Sequence, residues 1–299
     1  MAVAAWHLAE RGERVLVVDL DLESPGLTTA LLPEDRRPRF GVTDWLVEDL
    51  VGNADVVRRD MVATSELSRD GVIFVVPAHG AHPGAYVAKL GRAWMPVMTQ
   101  AGTRQPWFAR LQRLLGELET ELRPTVVLID ARAGIDEVAS ASLTDLGATA
   151  ILAFALDAEP TWTGYRILLQ HWRETHVIRE VRERLQIVGA LAPEPDTATY
   201  AAGLRERSWD LFTTMAYDEV PPVGLGSMPP PVEGEPWSFD LADETAPHHP
   251  WVVRWNSGFA ALRSLHGRLV EIDAAQARAV FGPLLDGIES IVQGARPSP

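Results

Sequence analysis

The chain has 299 residues, 46% hydrophobic and 23% charged, enough for a substantial core in one large or two ordinary domains. It contains no cysteine, so disulfides, thiolate zinc sites and cysteine nucleophiles are excluded, and a metal has only oxygen ligands and histidine to bind. The net charge of -14 argues against a nucleic-acid partner, and the absence of an apolar run of about 18 residues or a leader-like start argues against a membrane and for the cytoplasm.

The opening AVAAWHLAERGERVLVVDLD predicts an amphipathic helix that stops at Gly12, then a strand from residue 14 to about 20 that is apolar on both faces, as strands of parallel sheets are. Residues 41–51 carry Val42, Trp45, Leu46 and Leu50 at helical spacing. GVIFVVP, residues 71–77, reads as a second strand buried on both faces, and it leaves through the breaker-rich turn PAHGAHPG. Residues 107–122 predict a helix with Phe108, Leu111, Leu114, Leu115, Leu118 and Leu122 on its apolar face, Arg110, Arg113, Glu117 and Glu121 elsewhere, and Pro124 as its stop.

The strand TVVLID (125–130), the polar turn ARAGIDE, a short helix and the strand ATAILAFAL (148–156) follow. Then come a long helical stretch over about 159–185, a strand LQIVGAL (185–191) and a helix to about 216. From 220 to 250 the chain is rich in Pro, Gly and acids, with Trp237, Phe239 and Trp251 as anchors. Two closing helices are expected over about 253–271 and 273–292, the second with Phe281, Leu284, Leu285, Ile288 and Ile291 at helical spacing. This alternation predicts an α/β fold with a doubly wound, mostly parallel sheet, a core over 1–219, and a cover segment with two C-terminal helices over 220–299 packed on the same domain.

Two strand ends carry chemistry. VLVVDLDLESPGL ends a buried strand in Asp19 and Asp21, with Ser24, Pro25 and Gly26 turning the chain, and the carboxyl ends of parallel strands are where such sheets bind ligands. Alternation turns Asp19 and Asp21 the same way only while the strand lasts, and an ordinary Asp turn closing a strand is the alternative. VVLIDARAGID delivers Asp130 to a second strand end with Gly134 four residues on, the layout of an aspartate that holds Mg²⁺ through water beside a glycine that admits a γ-phosphate. The single lysine, Lys89 in AYVAKLGRA, has no glycine-rich loop around it, so these residues include no phosphate-binding loop.

In this order, and with the helix before the first strand, the segments resemble the ParA/MinD family of P-loop ATPases, over residues 1–32 and 125–156. The resemblance implies an ATP- and Mg²⁺-dependent switch that closes as a homodimer and releases a protein partner on hydrolysis. It implies that Asp21 orients the attacking water, that Asp130 with Asp21 forms the metal side, that Asp19, Ser24, Pro25, Gly26, Arg132 and Gly134 line the cofactor, and that Gly134 belongs to the second switch. The family's base-reading Asn has no counterpart in LQIVGALAPEPD, which leaves residues 192–196 or 221–229 for the base. In that family the phosphate loop and a strand before it precede the position of Met1, and MAVAAW has no Ser, Thr, Asp or Asn cap. The sheet is therefore expected to lack its first strand and phosphate loop as the chain stands, and the start to fall inside a helix. A non-catalytic interaction module that keeps the fold without nucleotide is the rival reading.

His79 with His82 and His248 with His249 read as solvated loop residues, because no carboxylate cluster surrounds them. The tryptophans, Trp45, Trp94, Trp107, Trp162, Trp172 and Trp209 among them, read as core and cover. Asp286 and Glu289 set the last helix apart from a membrane-binding amphipath.

Overall fold

The computed structural model describes residues 1–99, 102–131, 137–219, 236–260, 266–267, 270 and 274–295, and the chain divides into two compact units. The first comprises Met1–Gly147, Ser257–Arg278 and Ile288–Pro299, the second Ala148–Asn256 and Ala279–Gly287.

The first unit opens with helix α1 (Ala2–Ala9) and strand β1 (Arg14–Asp19). The pattern of α1 reads as amphipathic, but all eight of its residues are buried, as in a helix covered on every side. Gly12 ends it with φ +84°, a left-handed conformation that glycine adopts without steric cost. Helices α2 (Leu27–Leu31), α3 (Val42–Asp49) and α4 (Ala54–Arg58) follow, then β2 (Ala63–Ser65) and β3 (Val72–Val76). Next come α5 (Tyr86–Ala93), the short pair β4 (Val97–Met98) and β5 (Arg104–Gln105), α6 (Trp107–Leu122), β6 (Val126–Asp130) and α7 (Glu137–Thr144).

The sheet order is β2-β3-β1-β6, with β1 parallel to both β3 and β6 and the short β2 antiparallel at one edge. Val15 to Val18 are fully buried, as expected of the central strand. β3 departs from the expected burial on both faces, because Val72 and Phe74 stay half-buried and Phe74 lies under the Arg14 guanidinium at 5.2 Å. Every residue of β6 is also half-buried despite its apolar sequence, and among the described residues it pairs only with β1.

Leu16, Val18, Leu20 and Leu22 pack with Trp45, Leu46, Leu111, Leu114 and Leu118 in one apolar cluster. Arg110, assigned by periodicity to the polar side of α6, is instead fully buried within this layer. Its guanidinium donates to Asp49 Oδ2 at 2.7 Å, to the Met95 carbonyl at 2.5 Å and to the Leu46 carbonyl, so the charge is matched where the helix faces α3.

The second unit contains β7 (Ile151–Ala155), α8 (Glu159–Glu174), α9 (Ile178–Val181), β8 (Leu185–Ala192), α10 (Thr197–Met215) and β9 (Trp251–Arg254). Its sheet is parallel in the order β7-β8-β9. The expected helix over 159–185 is interrupted at His176, which takes φ +63° while the Val177 amide reaches back to the Trp172 carbonyl at 2.8 Å, a left-handed helix stop. The expected helix over 253–271 is also corrected, since Trp251–Arg254 is a strand on β8. Four residues are too few for the pattern to declare it. Of that expected helix, α11 (Ser257–Ala260) is described, and the closing helix α12 (Ala274–Gly294) follows as expected.

Trp237 and Phe239 do act as anchors. Both pack on Tyr217, Trp237 stacks on the Arg182 guanidinium, and its amide donates to Asp218. His248 overturns its solvated reading, being fully buried with Nδ1 2.5 Å from the Tyr217 hydroxyl. Burial holds its pKa below the usual histidine value. Residues 220–235 lie outside the described residues.

Candidate functional site

The site of interest forms where β1 and β6 end side by side in the first unit. Parallel pairing puts Asp19 directly opposite Asp130, and the Leu20 amide extends the ladder to the Asp130 carbonyl at 3.0 Å. Two carboxylates 111 positions apart in sequence thus meet because each closes an apolar strand of equal reach. Asp21 follows one turn beyond, half-buried, with Oδ1 accepting the Ser24 amide at 3.2 Å. That bond closes the tight turn foreshadowed by Ser24, Pro25 and Gly26, and Gly26 then starts α2.

Asp19 is completely buried. Its Oδ2 accepts the Thr28 hydroxyl at 3.3 Å, and among the described residues its Oδ1 has no hydrogen-bond partner. Burial, then the nearby Asp130 carboxylate, push its pKa up to about 7, against hydrogen bonds from Thr28 and the Asp21 backbone that favour the ion. Asp130 is likewise raised by burial, with Asp21 adding to the rise. Met1, which leads into α1, lies within electrostatic reach of Asp130.

Tyr86 completes the surroundings from α5. Its hydroxyl donates to the Leu22 carbonyl at 2.6 Å, and burial raises its pKa against a hydrogen bond with the Thr43 hydroxyl, while Asp19, Asp44 and Asp21 add to the rise. Neither Thr28 nor Tyr86 was among the expected site residues. Thr28 had a local signal, a hydroxyl in the first turn after the aspartate turn, whereas Tyr86 is brought in only by the fold. Lys89 is tied to Asp44 in an ion pair.

Of the expected site residues, Asp19, Asp21, Ser24, Pro25, Gly26 and Asp130 all lie at this end of the sheet. Arg132 and Gly134 lie outside the described residues. Of the segments expected to meet the base, 221–229 also lies outside them, and 192–196 runs from β8 into α10 in the second unit. Among the described residues no three His, Asp or Glu side chains converge as direct metal ligands. The all-oxygen donor set, with one buried carboxylate oxygen unmatched, suits a hard cation held through water.

A buried acid with a raised pKa makes a pH-dependent contribution to stability. The folded chain binds the Asp19 proton more tightly than the unfolded chain, so the contribution is complete below the ordinary aspartate value of 3.8 and is lost as pH rises through about 7. Relative to Asp19→Asn, the parent protein is expected to lose about 4 kcal/mol between pH 4 and pH 8. Urea unfolding of both proteins across that range checks this, and parallel pH profiles would contradict it.

No family model matches the chain, and no curated protein matches it in sequence. Solved structures do match. The pNOB8 ParA bound to nonspecific DNA is 16% identical with a TM-score of 0.56, over 99% of this chain and 93% of that one. The MinD cell division protein of Aquifex aeolicus is 11% identical with a TM-score of 0.52, over 100% and 92%. The same organism's MinC:MinD complex gives 10% and 0.51, over 100% and 92%. The chain has the fold of the ParA/MinD-type P-loop ATPases, α/β with a mixed, mostly parallel sheet arrangement. The expectation of no nucleic-acid partner finds no support in these similarities, one of which is to a ParA bound to nonspecific DNA. Among the described residues no helix is long and apolar enough to cross a membrane.

Proposed function

We propose that this chain is the body of a ParA/MinD-like ATP-dependent switch whose metal and water side is formed by Asp21 and Asp130, with Asp19 in support beside them. The observation that carries the reading is the register pairing of Asp19 with Asp130 at the carboxyl ends of adjacent parallel strands, with Asp19 buried, unmatched at Oδ1 and adjoined by Asp21. Buried unmatched carboxylates destabilise a fold, and such groups persist where function requires them.

In this reading Mg·ATP, when bound, supplies the transferable phosphoryl group and the cation that neutralises its charge. Asp130 orders the cation's water shell. Asp21 accepts a hydrogen bond from the attacking water and fixes its direction. Asp19 stiffens the strand end, and Ser24, Pro25, Gly26, Arg132 and Gly134 line the cofactor.

The described residues fit the metal side and not the phosphate side, because the only lysine is already paired with Asp44. We infer that a phosphate loop would act from beside the start of α1 and Asp130, and that the edge of β6 left unpaired among the described residues would take a further strand. The active form is an ATP-dependent homodimer in the cytoplasm that acts on a protein partner. The ion-paired Lys89 also favours the competing reading, a non-catalytic interaction module. The two are separated by the in-frame codons before Met1. An apolar strand followed by a glycine-rich loop with Lys or Arg and then Ser or Thr is expected, and a stop codon directly upstream would contradict it.

A further inference from the structure

Tyr86 opens α5, 64 positions from Leu22, yet its hydroxyl meets the Leu22 carbonyl inside the Asp21–Ser24 turn. Leu22 is almost fully buried, so its carbonyl has little access to solvent. The Tyr86 ring stands edge-on to His79 with centroids 5.0 Å apart. One turn further along α5, Lys89 pairs with Asp44, whose other oxygen accepts the Gly41 amide at 2.9 Å. Gly41 is itself pressed against the exit of β3, where an added Cβ would lie 2.5 Å from the Pro77 carbonyl oxygen. The Val42 and Thr43 amides donate to the Pro77 and Ala78 carbonyls at 2.8 and 3.1 Å. The turn that carries Asp21 is therefore tied by one phenol to a rigid block built from α3, α5 and the end of β3.

We propose that Tyr86 is a positioning residue that holds the Asp21–Ser24 turn so that the Asp21 carboxylate stays beside Asp130. Its kinetic consequence rests on the reading of Asp21 as the water-orienting group, whereas its structural consequence does not.

Tyr86→Phe keeps the ring and removes the hydrogen bond. Amide hydrogen exchange on the full chain is expected to be about fivefold to tenfold faster at Glu23 and Ser24, with β1 and β6 unchanged. In steady-state hydrolysis by the nucleotide-competent protein, kcat is expected to fall about tenfold with KM for Mg·ATP unchanged, a split that a loss of packing alone does not produce. Unchanged exchange at Glu23 and Ser24, or a uniform rise throughout the first unit, overturns the proposal. If the parent protein shows no turnover, the nucleotide reading fails and the exchange pattern alone decides the role of Tyr86.

Discussion

Asp21→Ala is expected to lower single-turnover ATP hydrolysis by about a hundredfold or more, in the chain that carries its phosphate loop, while Mg·ATP still binds within about twofold of the parent affinity. Orientation of the nucleophile acts in the transition state; because Asp21 Oδ1 also accepts the Ser24 amide that closes its turn, Asp21→Asn, which keeps an acceptor there, is expected to show the same loss of rate with the turn intact. Asp130→Ala is expected to behave differently. Removing the carboxylate that orders the cation weakens ground and transition states alike, so affinity and rate fall together. Arg132→Ala, which tests charge in the second switch, is expected to cause a partial loss. Hydrolysis by Asp21→Ala at the parent rate would return the aspartate pair to its plainer reading as a strand-closing turn.

The largest effect on stability is expected at a residue far from that turn. Asp49→Ala removes the carboxylate that receives Arg110 at 2.7 Å and Arg113 at 2.5 Å. Arg113 is partly exposed and recovers hydration, but Arg110 is fully buried and keeps only the Met95 and Leu46 carbonyls. An uncompensated buried charge costs about 3 to 5 kcal/mol, a large share of a typical stability of about 5 to 15 kcal/mol. Chemical denaturation is expected to show that loss for Asp49→Ala and a somewhat smaller one for Asp49→Asn, which still accepts a hydrogen bond but leaves the buried guanidinium without a counter-charge. Equal stability of Asp49→Ala and the parent would show that the guanidinium finds water.

The parts of the fold legible in the sequence are those whose pattern is long or whose end is chemically marked. α6 was bounded to the residue by its apolar spacing, and β1 and β6 were recognisable as apolar runs ending in aspartate. What the sequence hid was set by tertiary contact. β9 has four residues and exists because β8 offers it an edge, and Arg110 is buried because Asp49 and two carbonyls on other segments receive it. At the site, the three aspartates were visible because each closes a strand or begins a turn. Their pairing opposite one another came from sheet register, and Tyr86 from the packing of α5, neither of which local spacing encodes.

In the proposed function, the carboxylates at the ends of β1 and β6 form the metal side of a nucleotide site. Isothermal titration of Mg·ATP tests it most directly, with residues 1–299 compared with the same chain extended upstream through a phosphate loop. Mg²⁺-dependent binding at micromolar affinity is expected in the extended chain, lost in its Asp130→Ala variant and absent from residues 1–299. Equal binding by both forms, or none by the extended chain, would contradict it.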